Sequence, residues 1–195
     1  TLESALAHKD KIIGVGLDSS ELGNPPEKFE RVFKESIKQG FITVAHAGEE
    51  GPANWIQDAL ELLSITRIDH GVRCVEDEIL VSTLASNRTP LTVCPLSNTK
   101  LKVFERMEDH NIMALLRKGL CVTINSDDPA YFGGYMTDNF LAVANAHPMS
   151  KKEATQFTLN AIEASFISDE KKKRYTMLTS DYLAQFEGIE TRESL

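Results

Sequence analysis

Five polar side chains of this sequence fall directly after short apolar, β-branched runs: His46 and Glu49 in HAGE, His70 in DHG, and Asp127 with Asp128 in NSDDP. An imidazole and a carboxylate are donors that suit Zn²⁺, whose catalytic sites take three protein ligands and keep one position for water. A divalent metal brings the pKa of such a water toward neutrality, so water becomes a nucleophile at physiological pH. A glutamate nearby can move protons without being a ligand. Two adjacent aspartates diverge at a strand end, so one can bind metal while its neighbour faces a substrate. The residues by themselves point to metal-assisted hydrolysis of a small polar substrate. Taken singly, each has a plainer explanation. A histidine at a strand end is commonly structural, Asp-Asp-Pro fits a helix N-cap with proline at the first helical position, and Glu49 with Glu50 would pass for a solvated turn. Their common place at one end of one sheet is what favours a shared site.

The elements that must position these groups are legible as alternation. Five strand-like runs, Ile12–Leu17, Phe41–Ala45, Arg67–His70, Leu91–Cys94 and Cys121–Asn125, are separated by segments with helical periodicity. Phe29, Val32, Phe33 and Ile37 recur at helical spacing before Gly40, a C-cap candidate. Ile56, Ala59, Leu60 and Leu63 form a second apolar face, Ile79, Leu80 and Leu84 a third, and Ile112, Leu115 and Leu116 a fourth that Gly119 closes. Strand–helix alternation predicts βαβ units and a parallel α/β sheet. Each strand is followed at once by polar, Gly- or Pro-containing sequence, at the carboxyl ends where parallel α/β proteins place their chemistry. The pattern alone leaves an open doubly wound sheet and a barrel both possible. LDSSELGNPP is a poor match to a phosphate loop, and a barrel needs eight strands where five are visible. After Gly134 the pattern is wholly helical, with Ser150 and Glu153 as a capping box and a polar terminal helix from Lys171 onward.

Composition sets the outer limits. With 195 residues and a net charge of −8, the chain reads as one domain, residues 1–195, without the basic face of a nucleic-acid or membrane-surface binder. No apolar run approaches transmembrane length. Three cysteines, Cys74, Cys94 and Cys121, sit at wide spacings without a CxxC pair, which favours a reducing, cytoplasmic setting and buried thiols.

The stretches TVAHAGE, RIDHGV, TVCPLSN and TINSDDPAYFGGY occur in that order, separated by whole strand–helix units. They resemble the adenosine/adenine deaminase family, from about Ile12 to about Ala164. GLDSSE, RIDHG, CPLSNTKLKVF and DDPAYFGGY are similar to the adenine deaminase branch, where adenosine deaminases more often read RIGHG or RVGHG and CPWS. The resemblance implies a TIM (β/α)8 barrel, one Zn²⁺ per complete active site, and hydrolytic deamination of adenine to hypoxanthine and ammonia in purine salvage. Adenosine, giving inosine, is the alternative substrate. Carried over by position, His46 and Asp127 would be zinc ligands and Glu49 the proton donor to purine N1. His70 would orient or deprotonate the attacking water, and Asp128 would hold the purine at N7. Ser19 would contact the other side of the purine, and Ser97 would support His70. His8, His110 and His147 are read as surface or structural. The family's first strand carries an HxHxxG motif with two further zinc ligands, and this sequence contains no HxH. The chain is therefore expected to be a carboxyl-terminal portion of about five strand–helix units. Its missing partner would be the amino-terminal segment of the same polypeptide, and the chain alone is expected to be inactive. An inactive structural remnant is the alternative from another class.

Overall fold

The computed structural model describes residues 2–186. Its strands are β1 (Gly14–Leu17), β2 (Ile42–Ala47), β3 (Arg67–His70), β4 (Pro90–Val93) and β5 (Cys121–Ile124). All four pairings are parallel, and the strands stand in the sheet in sequence order. A short α1 (Leu2–Leu6) precedes β1. The crossovers carry α2 (Glu30–Lys38), α3 (Ala53–Leu62), α4 (Glu78–Asn87), and the pair α5 (Pro95–Lys100) and α6 (Ile112–Arg117). Beyond β5 come α7 (Pro129–Phe132), α8 (Met136–Ala146), α9 (Lys151–Ala164) and α10 (Asp169–Ala184).

Strand order decides between the two architectures left open above. A doubly wound sheet reverses its order at a switch point, whereas a barrel adds every strand to the same growing edge. Here each new strand extends the sheet beyond the last, so the five units form an arc of a TIM barrel, followed by terminal helices. Parallel strands are covered on both faces and read as continuous apolar runs. β5, CVTI, is buried at all four positions. The core lies between the sheet and its crossover helices, where Ile56, Leu63, Ile68, Leu84, Leu91 and Leu115 are wholly buried.

Local sequence explains the element ends. Asp77 caps α4, its carboxylate accepting from the backbone N–H groups of Ile79 and Leu80. Ser150 and Glu153 form the expected capping box at α9. Gly40 and Gly119 close α2 and α6 in left-handed conformations (φ 81° and 85°). Two apolar faces are narrower than the periodicity predicts. Val32 and Ile37 are 41% and 40% exposed, leaving Phe33 to carry the burial of α2, and Ile79 is 80% exposed while Leu80, Val81 and Leu84 are buried. Val32 lies about 100° round the helix from Phe33, and Ile79 about 100° from Leu80, so turning Phe33 and Leu80 inward tilts Val32 and Ile79 toward solvent. The polar terminal helix begins at Asp169, behind a Ser168 cap, and has no buried residue. Residues 187–195 lie outside the described residues.

Candidate active site

The loop after β2 is built around one carboxylate. Glu21, only 5% exposed, accepts backbone N–H groups from Gly48, Glu49 and Gly51, each at 2.9 Å. Charge-assisted bonds of this kind are the stronger class of hydrogen bond, and three of them fix the loop's path. Gly48 makes that path possible, because its φ is 73° and a Cβ there would collide with the Ile56 side chain. The loop turns Glu49 inward until it is 6% exposed. A solvated turn is thereby excluded for Glu49. Burial, opposed by a hydrogen bond from Asn98 and aided by the nearby charges of Glu21, Asp127 and Glu50, pushes its carboxyl up from 4.5 to about 7.

His70 reaches the same place by breaking the strand's pleat. In the β2–β3 register His46 stands opposite Asp69, and His70 opposite Ala47. Strict alternation would thus send the two imidazoles to opposite faces. His70 instead adopts a left-handed backbone (φ 66°), and its ring meets that of His46 edge-on with centroids 4.7 Å apart. It is 2% exposed. Burial, with the neighbouring His46, lowers its pKa from 6.5 to about 3, so the ring is neutral at pH 7. Its approaches to Glu49 Oε1 (3.2 Å, from Nδ1) and Asp127 Oδ2 (4.0 Å, from Nε2) are accordingly polar contacts rather than ion pairs.

Asp127 also departs from ordinary backbone, with φ 53° just beyond β5. Asp128 occupies the N-cap position of α7 ahead of Pro129, as the sequence suggests, but its exposed side chain does not cap the helix. His46, Glu49 and His70 offer ligand atoms within 4.8 Å of one another, and so do His70, Cys94 and Asp127. Four of the five expected residues therefore converge, with Asp128 adjoining them in the chain. The three cysteines are free and buried, as expected; burial pushes the Cys74 and Cys121 thiols up to about 12 and about 11, and that of Cys94 higher still.

Ser97 needs correction. It is fully buried, yet its hydroxyl has no hydrogen-bond partner among the described residues, so it does not support His70. Its neighbour Asn98 does, with Nδ2 at 2.5 Å from Glu49 Oε1 and 3.2 Å from His70 Nδ1. A short helix explains the exchange: one residue along α5 is a rotation of about 100°, which takes Ser97 away from the site and turns Asn98 into it. His110, 3% exposed, backs Asn98 from behind, while His147 binds the Met107 carbonyl and His8 is exposed. Ser19 is exposed, with φ 74°. It lines a cleft of about 240 Å³ that touches His46, while a larger cleft of about 450 Å³ reaches the site at Glu49. Glu21 and Asn98 both lie inside stretches quoted above, GLDSSE and CPLSN, whereas His110 carries no signal in the sequence.

Imidazole nitrogen and carboxylate oxygen are the donor chemistry that zinc takes, so His46 and Asp127, each of which approaches His70, fit by donor type as part of a zinc ligand set. Fold and site together define an arc of a β/α barrel, with an imidazole–carboxylate cluster at the carboxyl ends of its strands. The chain belongs to the adenosine deaminase family, whose sequence model matches residues 1–180. It is 65% identical to an adenine deaminase of Vibrio parahaemolyticus over 97% of its length, covering 56% of that protein. The crystal structure of adenine deaminase from Arthrobacter aurescens superposes with a TM-score of 0.91 at 45% identity, over 94% of this chain and 56% of that one. An amidohydrolase from Burkholderia ambifaria, solved with bound Zn, superposes with a TM-score of 0.80 at 25% identity, again over 94% of this chain and 56% of that one. The chain thus spans about half the length of the relatives it matches. No helix among the described residues is long and apolar enough to cross a membrane.

Proposed function

We propose that this chain carries the carboxyl-terminal share of a zinc-dependent adenine deaminase site, which converts adenine and water to hypoxanthine and ammonia in purine salvage in the cytoplasm. The observation that carries this reading is the buried Glu49, an acid pushed up to about 7 and held by Asn98 beside a neutral His70. A carboxyl group can protonate a ring nitrogen only if it still holds its proton at working pH, and burial provides that. Glu49 gives its proton to purine N1, which makes C6 more electrophilic. His70, neutral and fixed, orients the attacking water; with its pKa near 3 it is a poor base at neutral pH, so orientation is the role assigned to it. Asp128, with its side chain free of the helix cap, holds the purine at N7. His46 and Asp127 would hold zinc, which when bound would supply Lewis acidity and bring the pKa of a water toward neutrality.

A site with only these two metal ligands is incomplete against the three that catalytic zinc takes. The two histidines of the family's HxHxxG motif are assigned to an amino-terminal segment of the same polypeptide, in keeping with the 56% coverage of the Vibrio parahaemolyticus relative. On this reading the chain alone is inactive. The deciding measurement is kcat/KM for adenine and for adenosine, with zinc content, in the complete protein and in the 195-residue chain. Preference for adenine in the complete protein is expected. Preference for adenosine would overturn the substrate assignment, absence of turnover in the complete protein would favour a structural remnant, and full turnover by the chain would refute the split site.

A further inference from the structure

One donor in the buried network behind Glu49 has its direction fixed by covalent structure. The backbone N–H of Ile112 meets His110 Nδ1 at 3.1 Å, and a backbone N–H can only donate. His110 Nδ1 is therefore bare, and the ring's proton sits on Nε2. Nε2 faces Asn98 Oδ1 at 3.2 Å. That contact orients the amide, oxygen toward His110 and nitrogen toward the site. The two hydrogens of Asn98 Nδ2 are then shared out, one to Glu49 Oε1 at 2.5 Å and one to His70 Nδ1 at 3.2 Å. His70 accepts at Nδ1, so its own proton belongs on Nε2, the nitrogen that faces Asp127.

Each link is shielded. Asn98, His70 and His110 are 0%, 2% and 3% exposed, and Phe104 stacks on the His110 ring at 4.2 Å. Without the His110 donor the Asn98 amide is free to flip. A flipped amide sets its oxygen against the Glu49 carboxyl and calls for a proton on His70 Nδ1, which strips Nε2 of the hydrogen it offers toward Asp127.

We propose that His110 is a positioning residue that decides, through Asn98, which nitrogen of His70 carries the proton and where the Glu49 carboxyl is held. The proposal rests on the assignment of Glu49 and His70 as proton donor and orienting group, but its test is independent of turnover. Long-range ¹H–¹⁵N correlation spectra of the metal-free chain report imidazole tautomers directly. His70 and His110 are both expected as Nε2–H tautomers. His110→Phe keeps an aromatic ring against Phe104 and removes the donor; His70 should then lose the pure Nε2–H pattern. His110→Gln still offers an N–H to Asn98 Oδ1 and should preserve it. An Nδ1–H tautomer at either histidine of the wild type would overturn the relay without any variant having to fold. An unchanged His70 pattern in folded His110→Phe would do the same. Wild-type spectra as expected, together with a complete protein that does not deaminate adenine, would support the relay and sink the deaminase reading.

Discussion

A carboxyl group kept protonated for chemistry should weigh on the fold once it ionises, and Glu49 allows that cost to be worked out. Its pKa rises from 4.5 to about 7, chiefly through burial. The folded state therefore holds the proton more tightly than the unfolded chain. The stability this confers is fully present below pH 4.5 and is lost as pH rises through about 7. At about 1.4 kcal/mol per pH unit the loss amounts to about 3 kcal/mol. With Glu49 only 6% exposed, solvent screening removes little of it. Glu49→Gln is neutral at every pH, and its amide oxygen can still accept from Asn98 Nδ2. Stability of the variant relative to wild type should therefore rise by about 3 kcal/mol between pH 4.5 and pH 8 and then level off. Urea denaturation of both proteins across that range, with a chelator present to remove any metal, measures the difference. Two curves that stay parallel would refute the argument, since they would mean that Glu49 ionises without penalty. The same substitution in the complete protein should abolish adenine turnover while zinc content is unchanged.

Three further perturbations address other parts of the site. Asp127→Ala should reduce bound zinc in the complete protein, read by elemental analysis after gel filtration; wild-type zinc content would remove Asp127 from the ligand set. Glu21→Ala strands the N–H groups of Gly48, Glu49 and Gly51, and at about 1–3 kcal/mol for each unsatisfied buried group the variant should lose at least about 2 kcal/mol in urea denaturation. A loss below about 0.5 kcal/mol would mean that the loop holds its shape without the clamp. Gly48→Ala places a side chain at φ 73° against Ile56, and left-handed strain of about 1–2 kcal/mol plus overpacking of about 1–3 kcal/mol should lower the Tm by several degrees; an unchanged Tm in a calorimetric scan would contradict that account.

The sequence discloses the fold class readily because parallel α/β architecture repeats one local rule. Apolar β-branched runs, helical periodicity and glycine or aspartate at element ends place all five strands close to where they lie. Strand order is a non-local property and emerges only from the pairings. The residues at strand tips are equally legible, because strand ends in this architecture converge whatever their intervening sequence. Two kinds of feature are not. Pleat parity assigns His70 to the wrong face, since the left-handed turn that brings it to His46 leaves no mark in RIDHG. The groups behind the site, Glu21, Asn98 and His110, act through contacts that span 12 to 49 residues. Ser97 and Asn98 differ by helix phase alone, at a six-residue helix whose ends the sequence does not fix.

Left-handed backbone at Ser19, His70 and Asp127 gives the site its physical character. Such conformations cost non-glycine residues of order 1–3 kcal/mol each and persist only where the surroundings over-determine them. Asparagine, aspartate and histidine bear this better than other side chains, and two of the three positions hold one of them. At His70 the surroundings include a hydrogen bond as well as packing: Asn98, which His110 backs, meets both its Nδ1 and the Glu49 carboxyl, while Glu21 grips three backbone amides of the Glu49 loop. A strand tip that followed the pleat would be less strained, but it would point His70 away from His46 and leave Glu49 without its partner. Strain at the tips and the buried polar network behind them are thus two halves of one arrangement, the first aiming the groups and the second holding them against relaxation.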